Sequence, residues 1–226
     1  MLDKDSKRGK IILAALRLAE KQGWRKTSLT DIAREAKVSL ASLHNKFRSK
    51  TAILEAFIGK VDSAVLEKIK PADMETPARD RIFDVLMTRF DVLKPYKGAL
   101  ARIHKECRCA PPGPGTLPLA CASMNSGKWM LTAAGISTRG PKGCARVSGL
   151  MCLYARVVPV WLGDDDPDLA RTMAALDREL RSGERWLKRF DAIACDMARI
   201  ACAFVPRRRE RGRDGDGSPA EQPSAG

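Results

Sequence analysis

Between Lys7 and Gln22 the apolar residues Ile12, Ala15, Leu16 and Ala19 fall on one stripe of a helix, and Gly23 supplies the stop. Thr27-Ser28-Leu29-Thr30-Asp31 then gives a Ser-x-x-Asp capping box, which predicts a second helix from about Leu29 to Ala36. Ile32, Ala33 and Ala36 keep helical spacing until Lys37-Val38-Ser39 interrupts it. A new short run begins at Leu40, Leu43 and Phe47. Ser39 can cap this third helix, from Leu40 to about Phe47, and Ser49 a fourth from Lys50 towards Ile69 that stops before Pro71. Four helices thus fit into the first seventy or so residues, two of them very short.

Thr76 to Leu93 carries Ile82, Val85, Leu86 and Phe90 at helical spacing and ends at Pro95. Residues 94–118 hold a short helical piece and then the turn-rich stretch ECRCAPPGPGTLP, expected as a surface loop. Helices follow from about Leu119 to Ala134, Pro141 to Trp161, and Asp168 to Phe204. The run Asp164 to Asp168 places negative charge where a helix N-terminus favours it. The stretch from Pro206 onward offers no core residues, so 206–226 is expected to be a disordered basic and polar tail. The pattern predicts an all-α protein. A three-helix helix-turn-helix domain at 6–68, with its motif at about 28–47, precedes a larger helical domain at 76–205.

Composition agrees with a helical globular protein: 44% hydrophobic, 30% charged and only 5% aromatic residues in 226. The formal net charge of +14 points to an anionic partner, and residues 1–60 hold 14 Lys and Arg against 6 Asp and Glu. The seven cysteines are odd in number, first appear at Cys107 and follow no signal-like leader. The chain is therefore expected to be reduced and cytoplasmic. The longest apolar run, Gly149 to Leu162, is interrupted by Arg156 and Pro159, so no membrane span is expected.

The interruption at Lys37 to Ser39 has a purpose if the two short helices form a helix-turn-helix, whose second helix enters the DNA major groove. Leu43 and Phe47 would anchor that helix, leaving Ala41, Ser42, His44, Asn45 and Lys46 facing outward. Small side chains at Ala41 and Ser42 let the backbone approach base edges, and Asn45 can pair bidentately with adenine or bond a phosphate. Lys46, Arg48 and Lys50 supply cations for phosphates. Two short helices also occur in ordinary bundles, where a basic face is simply solvated.

The segments AALRLAEKQGW, TSLTDIAREAKVSLASLHNKFRSK and TAILEAF, spanning about residues 8–60, resemble the N-terminal domain of the TetR family of bacterial repressors. The resemblance implies a small DNA-binding domain and a larger C-terminal domain that dimerises and often holds an apolar ligand pocket. It implies phosphate and base contacts at Thr27, Ser28, Ala41, Ser42, His44, Asn45 and Lys50. Lys37 stands where the family usually has a turn glycine, Leu40 where a basic residue is frequent, and His44 where tyrosine is common. The stretches PARDRIFDVLMTRFDVLKPYKGAL and VWLGDDDPDLARTMAALDREL also resemble the TetR-related lipid-binding protein of ubiquinone biosynthesis, which has the fold without acting as a repressor.

Phe90, Trp129, Met130, Met151, Tyr154 and Trp161 are candidates for the wall of an apolar pocket, with core packing the competing reading. The segment from Leu169 to Phe204 has more apolar residues than one helix face needs. Met173, Leu176, Leu180, Phe190, Met197 and Ile200 are therefore expected at a homodimer seam. His104, Cys107, Cys109 and Cys121 lack the spacing of a zinc site, and no metal or cofactor is expected. No H-E-x-x-H, G-x-S-x-G or Gly-rich phosphate loop occurs, which argues against an enzyme. The expected partners are a double-stranded DNA operator, a second copy of the chain and a small apolar ligand. A lipid-binding accessory protein is the alternative.

Overall fold

Serine hydroxyls start the first four helices. In the computed structural model, which describes residues 6–108, 116–183 and 185, Ser6 caps α1 (Lys7–Gln22) and Ser28 caps α2 (Leu29–Glu35). Ser39 caps α3 (Leu40–His44) and Ser49 caps α4 (Lys50–Lys68). Each side chain accepts from the amide three residues on, at 3.0–3.1 Å, which satisfies one of the donors a helix start leaves open. The box at α2 is reciprocal, because Asp31 accepts in turn from the Ser28 amide.

Then come α5 (Ala78–Leu93), a 3-10 turn at Lys94–Tyr96, α6 (Lys97–Arg108), α7 (Thr116–Ala133) and α8 (Gly140–Leu162). A further helical stretch covers 170–183. The described residues contain no strand. Asp164 does more than place charge before that last stretch: its buried carboxylate accepts from the Thr172 amide (2.7 Å) and hydroxyl (2.6 Å). The Thr172 hydroxyl is the main reason its pKa lies below the usual carboxylate range.

One hydrophobic core runs from Ile11 in α1 to Leu180 in the last described helix. α4 is central to it, packing against α1 at one end and against α5 and α7 further along, while α6 lies across α1. α8 is a single 23-residue helix that continues through Pro159, in line with the helix expected from about Pro141 to Trp161. By length and composition alone it could cross a bilayer, but its stripe of Val147, Leu150, Leu153, Val157 and Trp161 is buried in the core.

Two groups of expected residues are placed differently from the sequence reading. Leu176 and Leu180 are buried in their own chain's core at 0% and 6% exposure, which leaves little of either side chain for a partner. Met173 is partly exposed and lines a surface groove of about 400 Å3 with Asp80, Phe83, Asp84, Ala174 and Asp177. Phe190, Met197 and Ile200 lie outside the described residues, as does the tail at 206–226. Among the pocket candidates, Phe90 stacks on Tyr154 (5.6 Å between centroids) and on Trp161 (5.3 Å). With Met130 also buried, these side chains fill the space they were expected to line. Met151 packs against the core at its edge, and Trp129 is 53% exposed, outside any enclosed wall.

A polar cluster lies inside this apolar body. Arg89 of α5 forms an ion pair with Asp62 of α4, their side chains 6% and 11% exposed. The Ser126 hydroxyl of α7 donates to Asp62 (2.7 Å), and Arg89 donates to the Tyr154 hydroxyl of α8 (3.3 Å). Four helices are thereby held in one register. Removing one member of a buried pair leaves the other charge uncompensated, so Arg89→Met should destabilise the fold by about 3–5 kcal/mol. The double change Arg89→Met with Asp62→Leu should recover much of that loss, as measured by urea unfolding; a loss in the double variant equal to the sum of the two single losses would mean the pair is not coupled.

Candidate nucleic-acid interface

The turn between α2 and α3 sets how α3 is presented. The Lys37 amide donates to the Arg34 carbonyl (3.1 Å) and the Val38 amide to the Ala33 carbonyl (3.0 Å), with Lys37 at φ 54. This pair of bonds around a left-handed residue is a Schellman ending. The end of α7 makes the same motif, from Gly135 to Thr132 and from Ile136 to Leu131, with Gly135 at φ 69. Lysine has therefore taken a conformation that the other ending gives to glycine, and the turn keeps its shape.

α3 is short, five residues from Leu40 to His44, so it ends before the expected Phe47. Asn45 is its C-cap, and the amides of Lys46 and Phe47 both reach the Leu43 carbonyl, which rounds off the helix. Leu43 and Phe47 are buried at 1% and 2%, and the Arg8 guanidinium lies over the Phe47 ring at 4.8 Å. Ala41, His44, Asn45, Lys46 and Arg48 are exposed and Ser42 is partly so. The residues expected to face outward on α3 thus share one accessible surface. Leu40, which begins the same apolar run in the sequence but stands where the family often has a basic residue, is 52% exposed.

Thr27 and Lys50 face the other way. Thr27 is 1% exposed, its hydroxyl donating to the Gly23 carbonyl (2.8 Å) and accepting from Gln22 (3.4 Å). The Lys50 ammonium donates to the carbonyls of Trp24 (2.8 Å) and Thr27 (2.7 Å) and lies 5.0 Å from the Trp24 ring centroid. Burial pushes its pKa down, and the Glu106 carboxylate partly offsets this. Both side chains are engaged within the protein, and neither is a free phosphate ligand here. Ser28 is exposed, but its hydroxyl is engaged with Asp31 at 2.6 Å.

Sequence reasoning also missed Glu106 of α6. Its carboxylate accepts from the Arg25 amide at 2.7 Å, and a Cβ on Gly23 (φ 93) would collide with it. No local pattern signals a contact between residues so far apart in the chain.

The arrangement is that of a helix-turn-helix module on an all-helical body. Residues 11–57 match the family model of the bacterial regulatory proteins of the tetR family. Among curated proteins, the nucleoid occlusion factor SlmA of Mannheimia succiniciproducens is 32% identical over 82 residues, and that of Haemophilus influenzae 33%. Each alignment covers 36% of this chain and 38% of the relative, so the chain matches well under half the length of these proteins. The fold is similar to a TetR transcriptional regulator from Nitrosomonas europaea at TM-score 0.62 and 23% identity, covering 80% of this chain and 99% of that one. A TetR regulator from Rhodococcus sp. RHA1 gives TM-score 0.59 and 19% identity, covering 80% and 97%. These relatives lend no support to the likeness to a ubiquinone-biosynthesis protein.

The strain at Lys37 can be measured. Lys37→Gly should raise stability by about 0.5–1 kcal/mol, because glycine adopts a positive φ without the Cβ penalty. Urea unfolding of the two proteins checks it, and an unchanged or lower midpoint would show that Lys37 bears no strain.

Proposed function

We propose that this chain is a cytoplasmic, homodimeric DNA-binding transcriptional repressor that responds to a small apolar ligand. The observation that carries the reading is the surface of α3, where Ala41, Ser42, His44 and Asn45 are accessible while Leu43 and Phe47 fix the helix from beneath. Asn45 offers donors and acceptors to a base edge, Lys46 and Arg48 offer charge to phosphates, and a palindromic operator matches a two-fold pair of such helices. Thr27 and Lys50 serve this reading indirectly, by fixing the turn between α1 and α2. A regulator of this kind has no catalytic residues, and the proposal includes none.

The second copy is proposed to dock on the outer face of α8, because the inward-turned Leu176 and Leu180 are not available to it. Cys144, Ser148, Cys152 and Arg156 are exposed along that face, and their mostly small side chains permit close approach of two helices. The ligand is proposed to enter between α4 and α7, where Leu66 and Trp129 border a narrow hollow over Arg89 and Asp62. Deeper in the body, the Trp161 indole N–H is buried without a hydrogen-bond partner among the described residues. Mass spectrometry of small molecules extracted from the purified protein tests the ligand.

Selection of bound duplexes from a random pool should yield a palindromic operator. On it, Asn45→Ala should cost about 1–3 kcal/mol and relax preference at one position of each half-site. Lys46→Ala should weaken all sequences alike and reduce the salt slope by about 1. If neither change alters affinity, α3 does not face the DNA. Ser148→Arg should give monomers by light scattering with unchanged helix content; a dimer that persists would move the interface off α8.

A further inference from the structure

Leu40 is the first residue of α3 and leaves 52% of its surface in water, although Leu43 and Phe47 in the same short segment are buried. Its side chain carries no donor or acceptor, so it can bond neither a phosphate nor a polar base edge. Beside it Ala41 is also exposed, and the two form a small apolar patch at the start of the helix. Lys37, Lys46 and Arg48 are exposed in the same short segment. An apolar patch with cations on either side in sequence suits a polyanion that carries an apolar group of its own. The first residues of a recognition helix are those that approach base edges, and in the major groove the apolar group among the four bases is the C5-methyl of thymine.

We propose that Leu40, with Ala41, selects thymine by seating its side chain against the C5-methyl in the major groove. This rests on the DNA-binding reading above. Each half-site then contains a thymine where the start of α3 enters the groove. Discrimination there comes from apolar contact, where a basic side chain would select guanine by hydrogen bonds.

The test uses the full-length protein and the operator it selects. Replacing each thymine in turn with deoxyuridine removes only the methyl and leaves every base-pair hydrogen bond intact. At one position per half-site the change should weaken wild-type binding by about 3- to 5-fold, the scale of one buried methylene. Leu40→Ala should bind the thymine operator about as weakly as wild type binds the deoxyuridine one, and should not distinguish the two. Leu40→Arg, carried through a new selection, should shift that position to guanine. Circular dichroism should show all three proteins equally helical.

A wild-type protein indifferent to every deoxyuridine replacement would overturn the methyl contact, as would a Leu40→Ala variant that keeps the full difference. In either case DNA binding itself would stand. A pool from which no sequence is enriched would overturn both the contact and the DNA-binding reading.

Discussion

The Lys50 ammonium, held by two backbone carbonyls, fixes the geometry of the N-terminal module. Hydrophobic burial brings α1, α2 and α4 together but has no direction, so it cannot set the angle at which α3 is presented. The carbonyls of Trp24 and Thr27 can, because both lie in the turn before α2 and both accept from the first residue of α4. The start of α4 is thereby tied to the start of α2, and α3 follows α2 through a turn of fixed form. Glu106 adds α6 to the same joint: it accepts from Arg25 and offsets the desolvation of Lys50. A charge-assisted cluster of this kind is directional, and when partly sequestered from water each bond supports the others.

Further along α4, Asp62 is held by Arg89 and Ser126. One helix therefore carries two polar anchors, the first tied to the turn that orients α2 and α3, the second buried among α5, α7 and α8. Between them lie Ile53, Leu54, Phe57 and Val61, all in the core. A helix packed along one face and anchored at two points moves as a unit, so a shift at Asp62 would be felt at Lys50. In the proposed regulator this is the physical route by which events in the body reach the DNA-facing surface.

What could be read from the sequence follows the range of each interaction. The caps at Ser28, Ser39 and Ser49 were legible because a capping bond spans three residues. The anchoring role of Leu43 and Phe47 was legible because apolar residues four apart fall on one side of a helical turn, and the chain keeps that spacing although α3 ends at His44. The side taken by Leu40 was not set by its apolar spacing to Leu43, since a five-residue helix is too short for periodicity to define a face. Thr27 is a DNA contact only by the family resemblance, and Lys50 by that resemblance and its charge; only the fold shows the carbonyls they serve. Leu176 and Leu180 looked like surplus apolar surface, because which face of a helix its own chain covers is decided only by the fold. Pro159 interrupts the apolar run but not the helix, because it removes only the bond to the carbonyl of Ala155, an exposed residue where water can take its place.

The sequence LASLH of α3 contains no Lys or Arg, whereas Lys37, Lys46 and Arg48 stand just outside it. This separation has a thermodynamic consequence in the proposed complex. Phosphate contacts release counterions and weaken as salt rises, but they are the same for every sequence. Contacts from uncharged side chains to base edges differ between sequences and depend little on salt. A module whose cations stand outside its recognition helix should therefore lose affinity with ionic strength through those flanking cations, while its preference for one sequence over another changes little. A basic residue at position 40 would have combined the two effects, because a guanidinium that pairs with guanine also attracts every phosphate nearby. Leucine there makes the surface a weaker binder of DNA in general, and leaves discrimination to contacts that only the right base can make.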